Sequence, residues 1–222
     1  MQRMKNVRIY ALAAVAMALL HGTQAMASNR LANAGFEDPI TSDGPPFVGS
    51  WEGFSAGAGS QAINSSAMPL SGAQHADLSI FNVDNSFAGV FQDVPNLVPG
   101  TTGTFSGWHK TTTSPLDLGV EIRIEWRNAG SDTEISRTPN FTPVPTDLYT
   151  LFSLSADVPA GADLARVVYA IQTFGPEPSN NGTVFLDDMS FVIPEPTALS
   201  LLAFGGLGLA GMCRWRSRRF NR

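Results

Sequence analysis

From Ser28 to Ile193 no window of the chain sustains helical periodicity. Apolar residues come instead in short alternating runs, each closed by a cluster of Gly, Pro, Asn or Asp. A chain written this way can bury its apolar side chains only by pairing strands into sheets. The runs predict strands at Leu31–Phe36, Val48–Phe54, Ala76–Val83, Phe87–Val94, Thr102–Thr111, Leu118–Arg127, Thr133–Arg137, Leu148–Ala156, Ala165–Thr173 and Thr183–Val192. About ten strands in one domain predict an all-β fold, two sheets packed as a jelly-roll sandwich.

Side chains alternate across a strand, so parity separates core from surface. Val120, Ile122, Ile124 and Trp126 share one face, which makes Trp126 a core residue, and Glu121, Arg123 and Glu125 share the other. In the strand from Thr102, Gly103, Phe105, Gly107 and His109 form the apolar face, opposite Thr104, Ser106, Trp108 and Lys110. An outward Trp108 can stack on the C–H face of a sugar while its polar neighbours take hydroxyls. Trp51 and Tyr149 are the other candidate sugar platforms.

The two ends read differently from the middle. Arg3, Lys5 and Arg8, the apolar stretch Ile9–Leu20 and Ala25-Met26-Ala27 predict a signal peptide over residues 1–27, handled by translocation machinery and signal peptidase. Residues 28–193 are the β-sandwich domain. In residues 194–222, Pro194-Glu195-Pro196 is followed by an uncharged run from Ala198 to Cys213 and then by Arg214, Arg216, Arg218, Arg219 and Arg222. As a helix, 198–213 would reach about 24 Å and engage a membrane, with the arginines of 214–222 held on the cytoplasmic side. Each proline fixes φ near −65° and favours an extended neighbour, a shape suited to a processing enzyme's cleft. The single cysteine, Cys213, excludes an internal disulfide.

Between these ends stand six Lys and Arg against 18 Asp and Glu, a net charge of −12 for the predicted domain. So acidic a body argues against nucleic acid, and against anionic polysaccharide unless divalent cations bridge the two. Neutral glycans remain compatible.

The order of triplet, hydrophobic helix and Arg-rich end resembles the PEP-CTERM sorting signal of exopolysaccharide-producing Gram-negative bacteria. That resemblance implies an exosortase as partner, transient anchoring in the inner membrane, and delivery to the cell surface or extracellular matrix. A second resemblance spans nearly all of 28–192. It rests on Asn29-Arg30-Leu31-Ala32-Asn33-Ala34-Gly35-Phe36-Glu37, on Phe87–Val94 followed by Val98-Pro99-Gly100-Thr101-Thr102-Gly103-Thr104-Phe105-Ser106-Gly107-Trp108, and on Phe185-Leu186-Asp187-Asp188-Met189-Ser190-Phe191. These stretches are similar to those of galactose-binding-like jelly rolls, the carbohydrate-binding modules found beside cellulases and xylanases. Gly103 departs from them, standing where an aromatic is usual. The resemblance implies a structural Ca²⁺ held by Glu37, Asp187 and Asp188 with main-chain oxygens, in keeping with that ion's preference for oxygen. Asp187, placed by parity with Phe185, Met189 and Phe191, would then be a buried charge in need of a partner.

Enzymatic motifs lack their context. Gly53-Phe54-Ser55-Ala56-Gly57 matches a hydrolase nucleophile elbow, but neither a following helix nor a parallel sheet is predicted. Gly57-Ala58-Gly59-Ser60-Gln61-Ala62 fails as a dinucleotide fingerprint for want of a βαβ unit. Glu121 and Glu125, four residues apart on a strand, lie about 13 Å apart, too far for paired glycosidase carboxylates. With Arg123 between them they read as a charge ladder. His75 and His109 have no ligand spacing. The expectation is a non-enzymatic exported protein that binds exopolysaccharide or envelope glycan. The alternatives are a structural matrix protein without a discrete glycan site and, more weakly, a glycan hydrolase.

Overall fold

Alternation becomes ten strands: β1 (Glu52–Ser55), β2 (Ser60–Ser65), β3 (His75–Ile80), β4 (Phe87–Pro95), β5 (Thr102–Thr111), β6 (Gly119–Asn128), β7 (Thr133–Arg137), β8 (Thr150–Asp157), β9 (Leu164–Gln172) and β10 (Gly182–Val192). The computed structural model describes residues 27–112, 114, 116–174 and 181–193. The predicted signal peptide up to residue 26, the triplet Pro194-Glu195-Pro196, the 198–213 helix and the arginine tail lie outside the described residues. Among those described, no helix is long and apolar enough to cross a membrane. Ser28–Ile193 forms one compact unit.

Among the described residues two five-stranded sheets result, ordered β1-β4-β9-β6-β7 and β2-β3-β10-β5-β8, with neighbouring strands antiparallel throughout. They form the predicted jelly-roll sandwich. Their inner faces meet in one core, where Val120, Ile122, Ile124 and Trp126 of β6 and Val167, Tyr169 and Ile171 of β9 pack with Phe105 of β5 and Val184 and Leu186 of β10. Removing a ring such as Phe105 from such a core costs about 3–5 kcal/mol. The glycine at 103 is explained by what lies above it. A Cβ there would sit 2.6 Å from Phe191 Cζ and 3.5 Å from Trp126 Cη2, so those two rings fill the place of the missing aromatic.

Three expectations need correction. Leu31–Phe36 is not a strand. Asn33 and Phe36 adopt positive φ (47° and 57°), and the segment instead follows the end of β10, with Arg30 N–H donating to Phe191 O and Met189 N–H to Ala34 O. The strand predicted from Val48 begins only at Glu52, and β2 has no predicted counterpart. In β10 a bulge lies between Asp187 and Ser190, with Asp188 at φ 47°. The bulge reverses the parity, so Asp187 does not share a face with Met189 and Phe191. Those two enter the core, and Asp187 points to the other side of the sheet.

Candidate functional site

The outer face of the second sheet carries two of the three expected platforms and the expected metal ligands. A loop, residues 66–74, lies over part of it. Asp187 Oδ2 accepts the N–H of Leu70 (2.8 Å) and Ser71 (3.1 Å), and its Oδ1 accepts Asp188 N–H (2.8 Å). Ser71 Oγ donates to Asp188 Oδ1, and Glu37 Oε1 accepts from Ala73 and Gln74 N–H. The loop cover explains how Asp187 faces outward from its strand and is still fully buried. Burial pushes its carboxyl up, against three main-chain N–H bonds that pull it down.

Tyr149, half-buried, donates its hydroxyl to Met68 O at 2.9 Å, with Lys110 Nζ 5.8 Å from its ring centre. Burial, and then the charges of Asp187 and Asp188, push its phenol up. Trp108 lies on the outer face as parity predicts, half-buried, between Leu151 of β8 and Asp187 of β10 in register. Trp51 is corrected outright. Its ring is fully buried, 5.0 Å from Phe36, and its Nε1 donates to Asn33 O (2.9 Å), so no sugar can stack on it.

The donor set at the loop is all oxygen, which suits Ca²⁺. Of Asp187's roughly four lone-pair sites, three are taken by N–H, and the remaining capacity is on Oδ1. Among the described residues no three His, Cys, Asp or Glu side chains gather as one ligand set. The three acids reach the loop at separate points, Asp187 and Asp188 at residues 70–71 and Glu37 at 73–74, so a cation there would need main-chain oxygens to complete its shell.

The first sheet has a different outer face. Phe54 of β1 and Phe87 and Phe91 of β4 point outward, since their neighbours Ala88 and Val90 point into the core. Phe174 follows β9, and Phe47 comes from the segment before β1. The rings run Phe174, Phe87, Phe54, Phe91, Phe47, with successive centroids 5.0–6.2 Å apart. Gly89 makes this possible, because a Cβ there would lie 2.4 Å from Phe54 Cζ. Phe54 thus lies across β4. Beside the rings, in register, come Gly89, then Ala170 of β9, then Glu121 of β6, a floor of small residues ending in a polar wall.

That wall is a network of ion pairs. Arg123 Nε meets Glu125 Oε1 at 2.8 Å and its Nη1 meets Glu121 Oε2 at 3.4 Å, which is the predicted charge ladder. Arg127 and Arg137 add contacts to Glu125 and Glu134, and Arg166 grips Asp93 with two bonds of 2.8 Å. Four of the domain's six bases stand here. Arg166 also stacks on Phe91, 4.2 Å from its centre, joining the wall to the aromatic strip. No sequence motif announces this face, since its five rings come from four separate segments. The legible signal is Phe87-Ala88-Gly89-Val90-Phe91, two rings of equal parity around a glycine.

Other readings from sequence turn out structural. His109 is buried, with Nδ1 2.8 Å from Tyr169 Oη, and His75 is fully buried, with its ring centre 4.3 Å from that of Phe185. Ser55 ends β1, which continues through a turn into β2 rather than into a helix, so the hydrolase elbow does not form.

No family model matches the sequence, and no curated protein matches it. Solved structures do match in shape. A bacteriophage tailspike protein's enzymatically active domain is 16% identical over 74% of this chain, with a TM-score of 0.56, and this chain spans only 21% of that one. A tandem of family 22 carbohydrate-binding modules from Paenibacillus barcinonensis is 14% identical over 78% of this chain and 47% of its own, with a TM-score of 0.52. A family 4 carbohydrate-binding module is 20% identical over 73% of this chain and 99% of its own, with a TM-score of 0.50. The likeness at such identities is one of fold: residues 28–193 form the two-sheet jelly roll that these carbohydrate-binding modules share.

Proposed function

We propose that Ser28–Ile193 is a non-catalytic polysaccharide-binding domain, exported and displayed outside the cell, and that the outer face of the first sheet holds the glycan. The observation that carries this reading is the strip of five outward phenylalanines set against a small-residue floor and a polar wall. Phenyl rings cover the apolar C–H faces of successive sugars, and Glu121 and Arg123 take hydroxyls from the other side. Their ion pairing holds those side chains in place before the ligand arrives, which lowers the entropy lost on binding. A shallow trough of this kind binds weakly, since it buries little of a flexible chain.

The same proposal takes in the ends. Residues 1–27 direct export, and Pro194-Glu195-Pro196 with 198–222 serves an exosortase, so the protein passes through the inner membrane to the surface or matrix. Glu37, Asp187 and Asp188 with main-chain oxygens are proposed to hold a structural Ca²⁺, which would lock the 66–74 loop and take no part in glycan chemistry.

Affinity electrophoresis through glycan-containing gels tests the site. Phe54→Ala and Phe91→Ala are expected to weaken retention at least about fivefold, ~1 kcal/mol, with Trp108→Ala unchanged. Loss of retention in Trp108→Ala or Tyr149→Ala, with Phe54→Ala unaffected, would move the site to the other sheet.

A further inference from the structure

At one end of the strip the segment 41–50 folds over Phe91 and encloses a cavity of about 120 Å³. Its apolar walls are Phe47 and Phe91, set edge to face at 5.0 Å, with Gly49 and Ser50 beside them. Gly49 lets the segment close, since a Cβ there would lie 2.3 Å from Thr41 Oγ1. Two carboxylates also line the cavity, and they are not equivalent. Asp93 is neutralised by Arg166, whose guanidinium lies over both rings, 4.2 Å from Phe91 and 5.1 Å from Phe47. Glu52 is 8% exposed, accepts Gly44 N–H (2.9 Å) and a long bond from Thr41 Oγ1 (3.3 Å), and has no basic partner among the described residues. The cavity therefore carries one surplus, nearly buried negative charge between aromatic walls.

Such a charge is costly to keep without a counter-charge, and carboxylate plus aromatic faces is the chemistry that receives an ammonium group. The cavity is smaller than the ~150 Å³ one that holds benzene, so it admits the amine-bearing edge of a sugar and not a whole ring. It adjoins the same strip through Phe91, which packs on Phe54 at 6.2 Å. Resting on the polysaccharide reading above, we propose that this cavity takes the amine-bearing edge of a hexosamine unit whose amine is free and protonated. Its ring would lie at the cavity mouth, on the aromatic strip, with its ammonium donating to the Glu52 carboxylate. The preferred polymer is then an amino-sugar glycan with unacetylated residues, and N-acetylation removes the recognised charge.

The test uses the full chain in mild detergent, with calorimetric titration of glucosamine hexamer, its N-acetylated counterpart, cellohexaose and lysine hexamer. The expected result is binding of the glucosamine hexamer about tenfold tighter than of the two uncharged sugars, a preference that disappears as the amine deprotonates at alkaline pH. Glu52→Gln keeps an acceptor for Gly44 N–H and should abolish the preference while leaving the weaker binding of uncharged sugars. Phe47→Ala opens the cavity without touching the acid and also shortens the strip, so it should weaken all three sugars, the glucosamine hexamer most. Asp147→Asn, beside the opposite sheet, removes the same charge and should change nothing. Equal affinity for the three sugars, or an undiminished preference in Glu52→Gln, overturns the amino-sugar site and leaves the trough standing if Phe54→Ala still weakens all three. Tighter, Glu52-dependent binding of lysine hexamer overturns it in favour of a basic peptide. Binding of none of the sugars overturns both readings.

Discussion

His109 shows how far a residue's behaviour follows from which face of a strand it occupies. Parity puts it inward on β5, where its ring packs against Phe152 and Tyr169 and its Nδ1 meets the Tyr169 hydroxyl. Burial lowers its pKa from 6.5 to about 4 and raises that of Tyr169, so both stay neutral at ordinary pH. The unfolded chain takes up this proton first, near pH 6.5, and the folded one only near pH 4. The histidine's contribution is thus complete above about pH 6.5, falls as pH drops through the interval to about 4, and is constant below. The most it can remove is ~3 kcal/mol. His109→Gln retains a polar neighbour for the phenol and cannot titrate. The difference in unfolding free energy between the two proteins is expected to shift over that pH interval, and denaturant titrations at half-unit steps would read it. A parallel pH course for both would show that His109 does not set the acid limb.

The loop 66–74 is the element on which the calcium proposal turns. Glu37, Asp187 and Asp188 reach it from two distant parts of the chain and hold it mainly by main-chain N–H groups. None of the three acids pairs with a base among the described residues, and the charge of Asp188 pushes the Asp187 carboxyl up, so a hard cation would relieve that repulsion. Ca²⁺ at a hundredfold excess over its Kd should add about 2.7 kcal/mol of stability relative to chelator, and Asp187→Asn should abolish that gain. Superimposable melts with calcium and with chelator would leave the loop's N–H groups and the Ser71 hydroxyl to hold the acids. This loop also marks where sequence stops being legible. Alternation located nine of the ten strands and oriented β5 and β6 correctly, because a central strand with one buried face must alternate. It failed where the backbone leaves regular geometry. Positive φ at Asn33 and Phe36 unmade the first predicted strand, and the bulge at Asp188 turned Asp187 away from the core. Trp51 was misplaced because it precedes β1, where no alternation fixes its side. β2, Ser-Gln-Ala-Ile-Asn-Ser, carries one large apolar side chain, and pairing with β3 rather than its own pattern makes it a strand. The phenylalanine strip is legible only at Phe87 and Phe91, for the opposite reason. Each ring has an ordinary place in its own segment, and only the register of β1, β4 and β9 brings them into line.

For the whole molecule the informative boundary is Ile193. β10 ends at Val192, and the compact unit ends one residue later, directly before Pro194. Among the described residues every hydrogen-bonded strand pair lies upstream, so cleavage at or just after the triplet would release a body with both sheets intact. A proline fixes its own φ near −65° and disfavours the helical region for the residue before it, so the expectation from sequence is an extended triplet suited to a processing enzyme's cleft. Replacing Pro194 and Pro196 with alanine removes that restraint and leaves residues 198–222 unchanged. In the native host the double variant is expected to be exported but to retain its C-terminal segment, giving a longer, membrane-associated band on immunoblots of fractionated cells. Its melting temperature should match that of the parent, because neither proline belongs to the sandwich. Normal shortening of the double variant would show that the triplet does not direct processing, and the C-terminal segment would then be read as a plain membrane anchor.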